Sequence, residues 1–435
     1  MKIGAIQPPR LVTVDEGERS ATWLELFYDL VFVAAVAMLG VRLATDASWN
    51  GWMSYVAYFV LIWWLWASHT FYADRFDTDD LVYRLLAFLQ MVSIAFLAAS
   101  LSTDDAGSTA MFAAAYAAAR IILLIMYARA YRHVEVARTL VRGYLIGFGA
   151  GAVLWTLSIF VPEPARFVLW AMALAIDLAT PYIIRKEQAR VPLDVSHLPE
   201  RFGLFTILVL GETIVAVTLG LSHVSWQVAT SIAGIFGIAI ATGLWWIHFD
   251  NVDGFVVRRR GDEKTWRPTV WIYTHAPLAI GIAMVGIGVE HAIIAADADH
   301  SYHTEERWVL VGGAIIALAA MSVIEIASNR QAGEVVRRRI VGNRVLSIPV
   351  LAIIGILALG PAITVILVAA VMAIQVVADV LAGEIRADDP EAEELDTEEF
   401  RIDQLPAEDT GPDETDSSTV EEEDVDAEGQ PEEAT

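Results

Sequence analysis

Glu25 and Asp29 stand four residues apart in the run Leu24-Glu25-Leu26-Phe27-Tyr28-Asp29-Leu30-Val31-Phe32-Val33. On a helix that spacing puts both carboxylates on one face. Two like charges on an apolar face repel, so one carboxyl holds a proton, a cation sits between them, or a neighbouring helix supplies the counter-charge. A third carboxylate, Glu212, follows Gly211 ten residues beyond Phe202. At 1.5 Å per residue it lies about 15 Å inside its apolar run, and Asp29 roughly 10 Å inside its own. Arg120 and Asp177, the latter followed by Pro181, also interrupt apolar runs. An ionisable group at the centre of a membrane helix costs ~2.5–3.5 kcal/mol, so each is a candidate for binding an ion or solute. His69, His248 and His275 add groups that titrate near neutral pH and suit a proton relay. The structural alternatives are a headgroup-level Glu25, an Asp29 paired for packing, an Arg120–Glu212 ion pair, an Asp177 beside a kink and histidines at helix ends. Glu325 and Asp379 read as facing headgroups, and Gly211 with Gly203 as places where a neighbouring backbone comes close.

The elements that must position these residues follow from composition. The chain has 435 residues, is 56% hydrophobic, carries a net charge of −25 and has no cysteine; its mean hydropathy is +0.51. From Glu384 onward 23 acidic residues accompany two arginines, leaving 31 acids and 27 bases before them. The excess charge therefore belongs to a tail too poor in apolar residues to fold, expected to be disordered over 383–435. Such a tail excludes nucleic acid, the lack of cysteine excludes a disulfide-stapled secreted fold, and the apolar body argues against a single soluble core.

Twelve apolar runs have the length of about 20 residues that a bilayer core requires. They lie near 22–42, 51–72, 83–101, 109–131, 143–162, 165–184, 202–221, 225–249, 268–292, 308–328, 345–360 and 362–382. None alternates as a strand would, so an all-α polytopic membrane protein is expected. Gly360-Pro361 separates the last two, as a tight hairpin or one broken helix. With the amino terminus inside, 25 of the 29 basic residues fall on the inner side, against Arg42, Arg166 and Arg307 outside and Arg120 within a span. Short cytoplasmic loops collect Lys and Arg, so both termini are expected in the cytoplasm of a plasma-membrane protein. Residues 1–20 lack the apolar stretch of a signal peptide. Three lysines beside 26 arginines and the many acids fit a salt-filled, halophilic cytoplasm. Trp49, Trp52, Trp226, Trp266 and Trp308 read as interface markers, and Trp63, Trp64, Trp66, Trp245 and Trp246 as packing residues.

Leu65, Trp66, His69, Asp74 and Phe76 recur 179 residues later as Leu244, Trp245, His248, Asp253 and Phe255. Leu26-Phe27 is echoed by Leu204-Phe205 with a shift of 178. Carrying the second span onto the eighth implies two parallel six-helix repeats, 22–184 and 202–382, joined by a cytoplasmic linker at 185–201, after an N-terminal segment at 1–21. In such proteins the site lies between the halves. The loop from Asp297 to Glu306, with His300 and His303, has a metal-like composition but lacks cysteine, and an acidic solvated loop looks the same. No phosphate-binding loop, nucleophile elbow or His-rich boxes occur, so neither an enzyme nor a cofactor is expected.

The runs Leu24-Glu25-Leu26-Phe27-Tyr28-Asp29-Leu30-Val31-Phe32-Val33, His197-Leu198-Pro199-Glu200-Arg201-Phe202-Gly203-Leu204-Phe205 and Leu210-Gly211-Glu212-Thr213-Ile214 resemble the low temperature requirement A (LtrA) family of bacterial and archaeal membrane proteins over roughly residues 18–383. The resemblance implies a polytopic helical fold. Phe27-x-Asp29 is also similar to the Arg-x-x-x-Phe-Ser-Asp motif of two-repeat endolysosomal-type potassium channels, with Trp23 in place of Arg and Tyr28 in place of Ser. The expected function is transport of a small solute or cation through intramembrane carboxylates. A channel constricted near Phe27 and Phe32, or a sensor or scaffold acting through the tail, are the alternatives. The partners are the lipid bilayer and that solute, and a homo-oligomer is compatible with the pattern.

Overall fold

A computed structural model describes residues 7–12, 20–77, 79–102, 106–191, 193, 197–249, 266–297, 301–328 and 334–387. The tail beyond 387, the repeat members Asp253 and Phe255, and His300 lie outside these residues. The order is β1 (Arg10–Leu11), α1 (Trp23–Thr45), α2 (Trp49–Arg75), β2 (Phe76–Asp77), α3 (Leu81–Ala99), α4 (Ala106–His133), α5 (Arg138–Ser158), α6 (Ala165–Ile183), α7 (Arg185–Arg190), α8 (His197–Ser222), α9 (Val228–Phe249), α10 (Arg267–Ala295), α11 (Thr304–Ala327), α12 (Glu334–Ile356) and α13 (Pro361–Ala387). Apart from the six-residue α7, these helices match the twelve expected spans in order, so the seventh span is α8.

Eleven of them are long and apolar enough to cross a membrane. The exception is α2, whose 27 residues include five tryptophans, His69, Asp74 and Arg75. Its residues from Leu61 to Arg75 are all buried. Protein rather than lipid surrounds that stretch, and a strongly apolar surface is not needed there.

Side-chain caps set several helix starts. The Thr22 hydroxyl accepts the Glu25 amide at 3.3 Å, and the Glu25 carboxylate accepts the Thr22 amide at 2.7 Å, a reciprocal capping box. Asp80 caps α3 by accepting the Tyr83 amide at 3.0 Å. The Asp80 carboxylate also accepts Arg129 Nη1 at 2.9 Å and the Gln7 amide at 3.3 Å, and Arg129 Nη2 donates to the Gln7 carbonyl. This clamp holds the segment that forms β1, which pairs antiparallel with β2 as Arg10↔Asp77 and Leu11↔Phe76. The two-residue pair is the one strand feature among the described residues, and it lies outside the spans.

Several neighbour relations recur in the two halves, although α9 packs on α13 and α10 where α2 has no comparable contact with α6 or α3. Helix α1 packs on α2 and α3, after which α3, α4, α5 and α6 pack in sequence. Likewise α8 packs on α9 and α10, and α10, α11, α12 and α13 follow in sequence. The halves meet where α1 and α2 touch α8 and α10. Helix α10 is buried along nearly its whole length. It approaches α11 closely because Gly281 faces the Gly313 carbonyl, where a Cβ would sit 2.7 Å away.

Three boundaries differ from the expectation. Helix α8 starts at His197 rather than 202, and α12 at Glu334 rather than 345. Arg201 and Arg344, expected in loops, therefore lie within helices and are buried. Helix α13 runs to Ala387, past the expected start of the tail. The last two spans are separate helices packed on each other, which is the hairpin.

Candidate functional site

The contact between the halves carries the densest set of buried charges. Asp29, six residues into α1, receives Arg201 Nη2 at 2.5 Å on Oδ1 and Arg201 Nε at 3.2 Å on Oδ2. Its Oδ1 also accepts the indole N–H of Trp66 on α2 at 2.8 Å. Arg201 Nη1 lies 3.3 Å from Glu25 Oε1, so one guanidinium from α8 serves both carboxylates of α1. One turn earlier on α8, His197 Nδ1 lies 3.0 Å from Asp74 Oδ1 and Nε2 lies 3.4 Å from Glu25 Oε2. All five ionisable side chains are buried. Unpaired, each would cost several kcal/mol to desolvate, so the spacing of four on α1 is answered by the same spacing on α8. The ring of His197 satisfies both carboxylates only when both nitrogens carry protons.

Arg120 and Asp177 form an ion pair buried within the first half, between α4 and α6. Arg120 Nη1 donates to Ser68 Oγ at 2.8 Å, and the guanidinium stands 4.5 Å from the Phe148 ring centroid. Asp177 lies against Gly151, where a Cβ would come within 2.4 Å of Oδ1. The alternative of an Arg120–Glu212 pair is thus corrected, because Asp177 occupies the guanidinium. Glu212 itself is half-buried on α8 and has no hydrogen-bond or ion-pair partner among the described residues. The expected close approach at Gly211 is also corrected: nothing stands within 4 Å of its Cβ position.

The histidines separate into two places. His69 stacks on Tyr28 at 3.9 Å and 19°, beside the charge network. His248 and His275 face each other with ring centroids 6.0 Å apart in one narrow cleft. Glu325 of α11 and Arg344 of α12 line the same cleft. His275 Nδ1 lies 2.7 Å from the Trp271 carbonyl, so that nitrogen carries a proton and donates it. Arg344 Nη2 donates to Asp379 Oδ2 at 2.8 Å. Glu325 and Asp379 are therefore buried instead of facing headgroups, because α12 and α13 fold over them. No group of three metal-ligating side chains occurs among the described residues.

The structure thus joins Glu25 to Asp29, Arg120 to Asp177, and His248 to His275, and it leaves Glu212 apart from all of them. Sequence reasoning did not single out Arg201, His197, Asp74 or Trp66 as members of the network. The signal was present in His197-x-x-x-Arg201, a basic pair at the spacing of Glu25 and Asp29.

Residues 20–381 match the family described as bacterial low temperature requirement A protein. An uncharacterized protein of Rhizobium meliloti (strain 1021) is 27% identical over 335 residues, covering 72% of this chain and 79% of that relative. The matched span includes every residue of the charge network and of the histidine cleft, and the chain belongs to the LtrA family of multi-pass membrane proteins.

Proposed function

We propose that the protein transports a small solute or cation across the plasma membrane, with both termini in the cytoplasm, and is not an enzyme. The observation that carries this reading is the buried network in which Glu25, Asp29 and Asp74 of the first half meet His197 and Arg201 of the second. Transporters built from repeats work by moving one half against the other around a site between them. An imidazolium at His197 ties α8 to both α1 and α2, whereas a neutral ring donates to only one of the two carboxylates. Proton release there loosens the tie between the halves, and that couples a proton to the movement. The cleft of His248, His275, Glu325 and Arg344 opens beside Pro199 and Gly203, on the same first turns of α8, and serves as the solute site. Glu212 is a second carboxylate open to protonation within the span. The acid-rich, lysine-poor composition of the chain fits a salt-adapted host.

Phe27 is 55% exposed and Phe32 is fully buried, so the two do not share one constriction. That favours a transporter over a channel. The test is flux into liposomes containing a pH or potassium indicator. Gradient-coupled, saturable flux that is lost in Asp29→Asn supports the proposal. Voltage-driven, non-saturating current favours the channel. Absence of any flux, with function in cells depending on residues 388–435 and not on the helix carboxylates, favours a sensor or scaffold.

A further inference from the structure

The end of the bundle where α1 gives way to α2 carries a groove separate from both sites described above. Ala47, Trp49 and Trp52 line one side, Thr304, Glu305 and Trp308 the other, and the open groove between them holds about 230 Å³. The Trp49 and Trp52 rings stack at 28° with centroids 6.5 Å apart. Trp52 is seated on Gly312 of α11 and Trp308 on Gly355 of α12, where a Cβ would come within 2.7 and 3.0 Å of the respective indoles. Close packing on glycine therefore fixes two of the three walls. Trp49 stands at the mouth, 71% exposed. Among the described residues no basic side chain lines the groove.

Indoles gather at membrane interfaces without any ligand, so the charge around these three decides what they can do. Two helix N-termini point here, each worth about half a positive charge. Against them stand Glu305, a residue lining the otherwise apolar groove, Glu306 next to it in sequence and Asp46 just before α2. One amide at each start is also engaged, since Ser48 Oγ accepts the Gly51 amide at 3.3 Å and Glu306 accepts the His303 amide at 2.9 Å. An anion would meet carboxylates and occupied donors. A small hydrated cation would lose water to apolar walls. A cation with an apolar surface suits both the indole faces and the carboxylate.

We infer that this groove binds a quaternary ammonium group, with Trp49, Trp52 and Trp308 as its walls and Glu305 as its counter-charge. A free trimethylammonium solute and a phosphocholine lipid headgroup carry the same group. Full-length protein in maltoside micelles can be titrated calorimetrically with choline, with dihexanoylphosphatidylcholine, and with dimethylbutanol, the uncharged isostere of choline. Saturable choline binding is expected, weaker by about 10-fold for the isostere and by about 10-fold in Trp308→Ala. Glu305→Gln and Trp49→Ala, both at exposed positions, should each weaken it several-fold and keep the test valid if Trp308→Ala does not fold. Tighter binding of the phospholipid assigns the groove to a headgroup, and tighter binding of choline to a free solute. Equal binding of the isostere, no saturable binding of either cation, or unchanged affinity in both Glu305→Gln and Trp49→Ala overturns the inference.

Discussion

Arg201 grips Asp29 with two nitrogens across 172 residues of chain, Nε to one carboxylate oxygen and Nη2 to the other. The contact joins the first helix of one half to the first helix of the other, and neither group has access to water. A fork of this kind fixes orientation as well as distance.

Removing one side of this contact leaves the other charge buried. Asp29→Asn or Arg201→Gln should each destabilise the protein by about 3–5 kcal/mol, and the double variant by much less than the sum. Denaturant unfolding in a single detergent measures the difference. Additive losses would show that the two residues are not coupled.

The Arg120–Asp177 pair should behave differently with respect to transport. Either single replacement should again cost about 3–5 kcal/mol, whereas Arg120→Met with Asp177→Leu should come within about 1–2 kcal/mol of the parent. Flux should survive in that double variant, because the pair lies inside one half. Loss of flux in a double variant of normal stability would make the pair part of the transport path.

How much of this was legible in the sequence depends on where each partner lies. The helices and their order follow from runs of apolar residues, which are local, whereas Gly360-Pro361 left a hairpin and one broken helix both open until the packing of α12 on α13 decided it. His275 and Trp271 are four apart on one helix, and their contact is local too. The arginines misled for a physical reason: a guanidinium at the edge of an apolar run looks like a headgroup anchor until its partner is known. Arg201 depends on Asp29 and Arg344 on Asp379, and each partner sits on another helix. Glu212 is the opposite case, conspicuous by its depth and joined to nothing described.

Glu212→Gln therefore removes no pairing. Stability should change by no more than about 0.5 kcal/mol, as for a substitution away from any packed feature. Proton coupling of the flux should nevertheless fall if the carboxyl exchanges protons during the cycle. Coupling unchanged in the variant would exclude Glu212 from that cycle and leave the His197 network as the proton site.

The Asp80 clamp makes a prediction about pH. Burial alone would raise this carboxyl, but hydrogen bonds from Arg129 and from the Tyr83 and Gln7 amides outweigh it and hold it below its ordinary value. A carboxyl lowered by folding adds stability above its unfolded value, near pH 4, and loses it as pH falls through the folded one. The Val12 amide, which donates to the Arg75 carbonyl at 3.1 Å, reports on the segment the clamp holds. Its hydrogen-exchange protection, corrected for intrinsic rate, should persist from pH 7 to about 5, begin to fall near 4 and be lost only as pH drops further, through the folded value. Asp80→Asn should lose it at every pH.

Helix α2 bears on how the protein is made. A segment that leaves the ribosome with five tryptophans, His69, Asp74 and Arg75 gains little from lipid on its own. Its favourable surroundings are other helices, and those with which it makes its buried contacts include α8 and α10, synthesised more than a hundred residues later. Between those two moments α1 and α4 are the neighbours available to it, and the Trp66–Asp29 hydrogen bond is the part of the Asp29 site that α1 and α2 can make without Arg201. Biogenesis thus runs through a half-built state in which the carboxylates of α1 wait for their cations, and a chain halted before α8 would be a natural substrate for membrane quality control.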